Sequence, residues 1–200
     1  MARDRPRNDE RCRIAHLAAR LMAEDGVEDY GLAKRKAARQ AGVPNTRQLP
    51  TNEEIDAALR LHQSLYQAEE HPQRLRFLRE QAIACMSRFA QFNPYLTGSV
   101  LSGNAGKYAD IDLQLYPDNP KGPELFLIDH RIPYKLGDVR LYIGGEARMV
   151  PVLTVEQDGT NVRLVVLSAA ELRGPVRSTA EGKAIERAKL AAVEALLDED

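Results

Sequence analysis

The feature that most constrains the fold is a change in hydrophobic pattern near Pro94. Before this point the apolar residues recur at helical spacing. Between residues 9 and 24 they form one helix face, which consists of Ile14, Leu17, Ala18, Leu21 and Met22. After Pro94, alternating and short continuous apolar runs typical of strands dominate. We therefore predict an α+β protein with an α-helical bundle over residues 1–93 and an α/β domain, a mixed sheet flanked by helices, over residues 94–200.

Helix start and stop signals divide the first half into four predicted helices. Gly26 and Gly42 occupy the positions of C-terminal caps after the first and second helices. Thr51 and Glu54 form the capping-box pattern that begins a third helix, and a fourth should begin after Pro72. We expect the apolar faces of these helices to pack together as a bundle.

Composition excludes several classes of protein. The chain has 28 basic and 29 acidic side chains, a formal net charge of −1, so it is not a uniformly basic protein that coats polyanions. It contains no long apolar run of the kind that spans a membrane, and its start is too polar for a secretory signal. We therefore expect a cytoplasmic protein with no membrane partner.

The two cysteines, Cys12 and Cys85, lie far apart within predicted helices. Together with four scattered histidines they form no pattern of metal ligands. We expect both cysteines to be buried as small hydrophobic side chains.

The segment with the clearest chemistry is FNPYLTGSVLSGNAGKYADIDLQLYPD, residues 92–118. Asp110 and Asp112 lie in a predicted strand, where residues two apart project from the same face. Two adjacent carboxylates repel each other unless a cation lies between them, and oxygen ligands suit Mg²⁺ or Mn²⁺. Gly98 and Ser99 offer backbone N–H groups and a hydroxyl to phosphate oxygens. Lys107 is a further candidate for a phosphate contact.

These residues resemble a known signature. A Gly-Ser pair followed, after ten residues, by Asp-x-Asp is similar to the pattern of the polymerase-beta-type nucleotidyltransferases. More narrowly, PYLTGSVL and DIDLQL, preceded by GLAKRKAARQ, resemble nucleotidyltransferase-like proteins of proteobacteria. The resemblance implies a minimal nucleotidyltransferase-like sheet in which Asp110 and Asp112 are catalytic and bind Mg²⁺ (or Mn²⁺). It implies that Gly98, Ser99 and Lys107 bind a nucleoside triphosphate, from which a nucleoside monophosphate passes to a hydroxyl acceptor that the sequence does not identify.

The same resemblance implies that the Asp-x-Asp strand is followed by a helix and by further strands, one bearing a third carboxylate. The chain provides a predicted helix at 123–132 and predicted strands at 139–143, 148–156 and 161–168. Two more capping boxes, Ser168 with Glu171 and Ser178 with Glu181, predict helices at 169–173 and 179–197. The acids around the second of these strands lie only at its ends, as Glu146, Glu156 and Asp158, so a third carboxylate is not evident.

Two alternatives to a transferase stay open. Without a third carboxylate, the protein would be a catalytically degenerate module that binds nucleotide or regulates a partner. The second alternative is a helix-turn-helix-type DNA-binding regulator, because the first 43 residues resemble the start of tetracycline-repressor-type domains. Its basic cluster, suited to phosphate contacts, consists of Lys34, Arg35, Lys36 and Arg39. Pro50 and two acidic residues follow where a recognition helix should begin, which favours a solvated bundle over DNA binding.

Overall fold

The computed structural model describes residues 5–27, 29–44, 46, 48–66 and 70–199, and these fold as a mixed α+β protein. Packing divides the chain into two compact units. The first unit comprises residues 1–74 and 104–109, and the second comprises residues 75–103 and 110–200. The second unit therefore begins within the fourth helix, so that most of this helix is grouped with the strands that follow it.

The first unit is built on three helices: α1 (Arg5–Glu24), α2 (Tyr30–Gln40) and α3 (Asn52–Tyr66). Their buried faces form a core that includes Ile14, Ala18, Ala33, Ile55 and Leu59. The predicted capping box of α3 is confirmed. The backbone N–H of Thr51 donates to the Glu54 carboxylate at 2.7 Å, and that of Glu54 donates to the Thr51 hydroxyl at 3.2 Å.

The second unit consists of most of helix α4 (Glu70–Arg88) and the elements that follow it. The strands are β1 (Pro94–Thr97), β2 (Ile111–Leu115), β3 (Tyr134–Ile143), β4 (Glu146–Gln157), β5 (Thr160–Val166) and β6 (Val176–Arg177). The helices are α5 (Gly98–Ser102), α6 (Gly122–Asp129) and α7 (Leu190–Glu199), with 3-10 turns at Ala90–Phe92 and Ala169–Arg173. The predicted helix at 123–132 is therefore α6, and the three strands predicted after it are β3, β4 and β5.

The six strands form one mixed sheet in the order β1-β2-β5-β4-β3-β6. β2 and β5 are parallel neighbours, and the other neighbouring pairs are antiparallel. Along β2 and β5, alternation places buried residues on both faces of the sheet. Leu96, Leu113 and Leu164 lie on one face, opposite each other in register and almost wholly buried. Tyr95 and Val165 belong to the core on the other face.

The prediction of a helix over 179–197 is wrong for its first half, and Ser178 with Glu181 does not begin a helix. Only α7, from Leu190 onward, is helical; residues 178–182 form bends and turns, and Ala184 and Ala188 make isolated bridges to β6 and β1. Ala188 exchanges two backbone hydrogen bonds of 2.9 Å with Leu96 at the β1 edge, and Ile185 donates to the Val176 carbonyl at 2.7 Å. Pairing with the two sheet edges satisfies the backbone groups that a helix would otherwise satisfy, and it overrides the helical periodicity. The capping box of Ser168 and Glu171, by contrast, is confirmed.

The prediction for the cysteines holds for one of them. Cys85 is buried in α4, and burial raises the pKa of its thiol to about 12. Cys12 is exposed, because it shares a face of α1 with the exposed residues His16 and Arg20. Within the described residues, no helix combines the length and apolar character needed to cross a bilayer.

Candidate functional site

The Gly-Ser motif and the Asp-x-Asp motif meet in the second unit. Strands β1 and β2 are antiparallel, with Thr97 opposite Asp112. The Thr97 hydroxyl donates to the Asp112 backbone carbonyl at 3.2 Å. Gly98, which follows at once, has a φ of +74° and lies so close to Asp112 that a Cβ would come within 2.9 Å of the carboxylate Oδ2. The left-handed backbone therefore favours glycine at this position, and the Asp112 carboxylate would have to shift to admit a Cβ.

The two carboxylates each contact a polar side chain from the parallel neighbour β5. The Arg163 guanidinium lies beside Asp112, with 3.0 Å between Nη1 and Oδ1. Asn161 donates through Nδ2 to Oδ1 of Asp110 at 3.1 Å. The Arg163 and Asp112 side chains are 31% and 28% exposed, so this cluster is open to solvent on one side. We call Asp110, Asp112, Asn161 and Arg163 the β2–β5 cluster.

Arg163 and Asn161 were not among the candidates from the sequence, although a signal for Arg163 existed. In the predicted strand NVRLVVLS, this arginine interrupts an apolar run, and a charged residue inside a buried strand usually has a partner. What the sequence did not reveal was which strand would supply that partner. The parallel pairing of β2 with β5 places residues that are 51 positions apart in the sequence side by side.

The strands beside β2 bring no third carboxylate to the β2–β5 cluster. The residues in register with Asp112 on its two neighbouring strands are Thr97 on β1 and Arg163 on β5, and neither is acidic. Glu156, on β4, pairs with Asn161 of β5. It therefore lies two strands from β2, a separation of about 10 Å. Glu146 is at the opposite end of β4, paired with Ile143 on β3.

The donor set of the cluster fits one type of metal site. Among the described residues, no three His, Cys, Asp or Glu side chains are arranged to hold a metal ion by themselves. Mg²⁺, however, commonly binds through one or two carboxylates and completes its shell with substrate phosphates and water. Asp110, directly before β2, and Asp112, within it, provide such a pair, and both are partly exposed. Their chemistry would suit a Mg²⁺ ion that binds together with a nucleotide, and the Arg163 guanidinium lies beside one of the Asp112 oxygens that such an ion could use.

The other predicted site residues lie in different places. Ser99 is half-buried in the first turn of α5, directly after Gly98. Lys107 belongs to the first unit, where it is exposed and its Nζ lies 5.6 Å from the centroid of the Tyr108 ring. It is therefore not among the residues that packing brings together in the second unit.

A second polar group continues the Asp112 face of β2 into the core. Gln114 follows Asp112 by two residues, and its Oε1 accepts a hydrogen bond of 2.7 Å from the Tyr116 hydroxyl. That hydroxyl in turn accepts from Nη1 of Arg187 at 2.9 Å. Burial is the main cause that raises the pKa of Tyr116, so the hydroxyl stays protonated and can donate to Gln114.

The basic cluster of the first unit is arranged differently from a helix-turn-helix. Residues 41–51 separate α2 from α3, whereas that motif joins its helices by a turn of about 3–4 residues. Lys34 donates to the Asn52 side chain at 2.7 Å, and desolvation lowers its pKa. The first turn of α3 carries Glu53 and Glu54, which would repel DNA phosphates.

Comparisons with protein-family models, with curated proteins and with solved structures give no match to this chain.

Proposed function

We propose that the second unit binds a nucleoside triphosphate together with Mg²⁺, in the manner of a nucleotidyltransferase-like domain, and that binding rather than transfer is its function. The contact between Gly98 and the Asp112 carboxylate carries this proposal. The contact brings the Gly-Ser motif, at the end of β1, against the Asp-x-Asp motif, at the start of β2. Neither a solvated acidic strand nor an ordinary glycine turn would require this contact.

Each residue has a role that its chemistry allows. Asp110 and Asp112 would hold Mg²⁺ through carboxylate oxygens, and the ion would supply positive charge to the phosphate oxygens. Two carboxylates and one guanidinium leave a net charge of −1 on the three side chains, so a triphosphate without the metal would be repelled. Ser99 and the backbone beside it are the candidates for direct phosphate contacts.

The transfer reaction that the resemblance implies lacks one component. Attack by an acceptor hydroxyl on the α-phosphate, with pyrophosphate leaving, is helped by a base that accepts the hydroxyl proton. On β5, beside Asp112, the residue is Arg163, and a guanidinium is protonated at neutral pH and cannot accept a proton. This supports the catalytically degenerate alternative over the active transferase.

Equilibrium binding of ATP, GTP, CTP and UTP, measured with Mg²⁺ and with EDTA, tests the proposal. We expect at least one nucleotide to bind with Mg²⁺, with affinity lost in EDTA and lowered about tenfold or more in Asp112→Asn, which removes the charge at constant shape. Asp138→Asn, an exposed acid on β3 of the same sheet, is the matched control and should bind as the wild type does. Absence of Mg²⁺-dependent binding of all four nucleotides at millimolar concentration would refute the proposal.

A transfer assay separates binding from catalysis. Protein that binds a nucleotide is incubated with its α-³²P-labelled form, Mg²⁺ and either itself or cell extract as the acceptor. We expect no labelled product. A labelled product that disappears in Asp110→Asn would show instead that the active transferase is the correct function.

A further inference from the structure

We propose that Arg163 is an exchangeable cation for Asp112. Its guanidinium neutralises this carboxylate in the nucleotide-free protein and moves to the phosphates when nucleotide and Mg²⁺ bind. The inference rests on the proposed function, because it assigns to Arg163 the task of coupling nucleotide binding to metal binding at the same site. This role follows from where the side chain lies and from what it can reach.

The backbone of Arg163 is fixed within the sheet, whereas its side chain is partly exposed. β5 lies between β2 and β4 in the sheet, with Asp112 in register on one side and Thr154 on the other. The backbone of Arg163 is therefore held by two ladders. The side chain is 31% exposed, and a guanidinium on a long aliphatic stem can swing from Asp112 toward solvent or toward a ligand there.

The guanidinium occupies the carboxylate that a metal would use. Nη1 of Arg163 lies 3.0 Å from Oδ1 of Asp112, and the other oxygen, Oδ2, lies against Gly98. A Mg²⁺ ion on Oδ1 would be about 2.1 Å from that atom, and hence within about 5 Å of the guanidinium nitrogen. Two cations at that separation repel each other, so the guanidinium competes with metal for Asp112.

A guanidinium displaced from Asp112 can bind the phosphates of the nucleotide. A bound triphosphate brings oxygens with dense negative charge, and the planar fork of arginine binds such oxygens in pairs. Nucleotide thus offers Arg163 a better partner than Asp112 and frees the carboxylate. It follows that nucleotide and metal increase each other's affinity, since linkage makes such coupling reciprocal. Free metal at the site is disfavoured for the same reason.

Mn²⁺ alone is the probe for the first half of this inference. Its binding to the full chain without nucleotide is measured from the electron paramagnetic resonance signal of the free ion. We expect Arg163→Gln to bind Mn²⁺ about threefold to tenfold more tightly than the wild type, which is about 0.7–1.4 kcal/mol. Arg163→Lys keeps a cation and should resemble the wild type. Arg140→Gln removes one positive charge from an exposed site on the opposite face of the sheet and should have no effect.

ATP with Mg²⁺ is the probe for the second half. Arg163→Gln should bind this pair at least about fivefold more weakly, although it binds Mn²⁺ alone more tightly, because the phosphates lose the guanidinium. Equal Mn²⁺ affinity in the wild type and Arg163→Gln, with both folded by circular dichroism, would overturn the inference while leaving nucleotide binding intact. Tighter binding of ATP and Mg²⁺ by Arg163→Gln would also overturn it. If Arg163→Gln bound Mn²⁺ more tightly than the wild type but neither protein bound nucleotide, the proposed function would be refuted. The competition between Arg163 and metal for Asp112 would still be supported.

Discussion

Replacing Gly98 by alanine tests the contact that joins the two motifs. The residue has a φ of +74°, and a left-handed backbone costs an L-residue about 1–2 kcal/mol. The added Cβ would lie 2.9 Å from Oδ2 of Asp112, closer than a carbon and an oxygen normally pack. The carboxylate must then move away and weaken its ion pair with Arg163, an exposed interaction worth about 0.2–1 kcal/mol. We therefore expect Gly98→Ala to lower the free energy of unfolding of the second unit by about 1–3 kcal/mol.

The control isolates the contact from the backbone cost. Gly144 has a φ of +63°, and a Cβ there would meet open space. Gly144→Ala should therefore lower the free energy of unfolding only through the left-handed backbone. Hydrogen exchange of β2 and β5 amides, followed by mass spectrometry, reports the stability of the second unit without interference from the first.

The contact predicts a specific coupling. In a double-mutant cycle with Asp112→Ala, removal of the carboxylate should relieve the clash, which gives Gly98 and Asp112 a coupling energy of about 0.5–1 kcal/mol. Equal destabilisation by Gly98→Ala and Gly144→Ala, together with zero coupling in the cycle, would show that the two motifs do not touch as described.

Three further predictions concern the framework of the two units. Burial raises the pKa of Cys85 from 9.0 to about 12, so the unfolded state releases this proton first and the free energy of unfolding should fall by about 1.4 kcal/mol per pH unit above pH 9. Urea titrations at pH 8 to 10 should show this slope reduced in Cys85→Ala, and a thiol reagent at pH 8 should label only Cys12 in the native protein. Asp29→Ala removes the side chain that caps α2 through the Leu32 N–H, and it should cost the first unit about 1 kcal/mol in urea unfolding. Arg79→Met leaves carbonyls near the ends of α5 and α7 without their buried donor, and it should lower the stability of the second unit by about 1–3 kcal/mol; an unchanged stability would contradict this role.

The helices and strands that could be predicted from the sequence are those whose signals are local. The capping box of Thr51 and Glu54 satisfies backbone groups within one turn, so it is readable without knowledge of the fold. The hairpin at Gln157, Asp158 and Gly159 is similarly local: the two strands follow at once, and glycine takes a φ of +75° in the turn.

The parts that could not be predicted depend on pairing between distant residues. The stretch before Leu190 has helical periodicity, but Ala188 pairs with β1, and Arg187 reaches Tyr116 and the Leu172 carbonyl instead. These partners are far away in the sequence, so their energetic contribution is invisible to a local pattern.

The candidate site shows the same division. Gly98 and Asp112 were predicted to act together because a resemblance joins their motifs, and the structure brings them into contact. Arg163 could not be assigned, since its role depends on the order of strands in the sheet and on the parallel register of β2 with β5. The positive charge of Arg163 lies beside Asp112 only because β5 pairs with β2 in this register. The guanidinium at this position is also the reason why we propose nucleotide binding and not transfer.

A crystal structure of the protein with Mg²⁺ and a non-hydrolysable nucleoside triphosphate analogue tests the central claim most directly. We predict a metal ion bound by Asp110 and Asp112, with the triphosphate beside Gly98 and the guanidinium of Arg163 turned from Asp112 to the phosphates. A nucleotide bound elsewhere on the chain, or a nucleotide at this site with Arg163 still paired to Asp112 and no metal on either carboxylate, would contradict it.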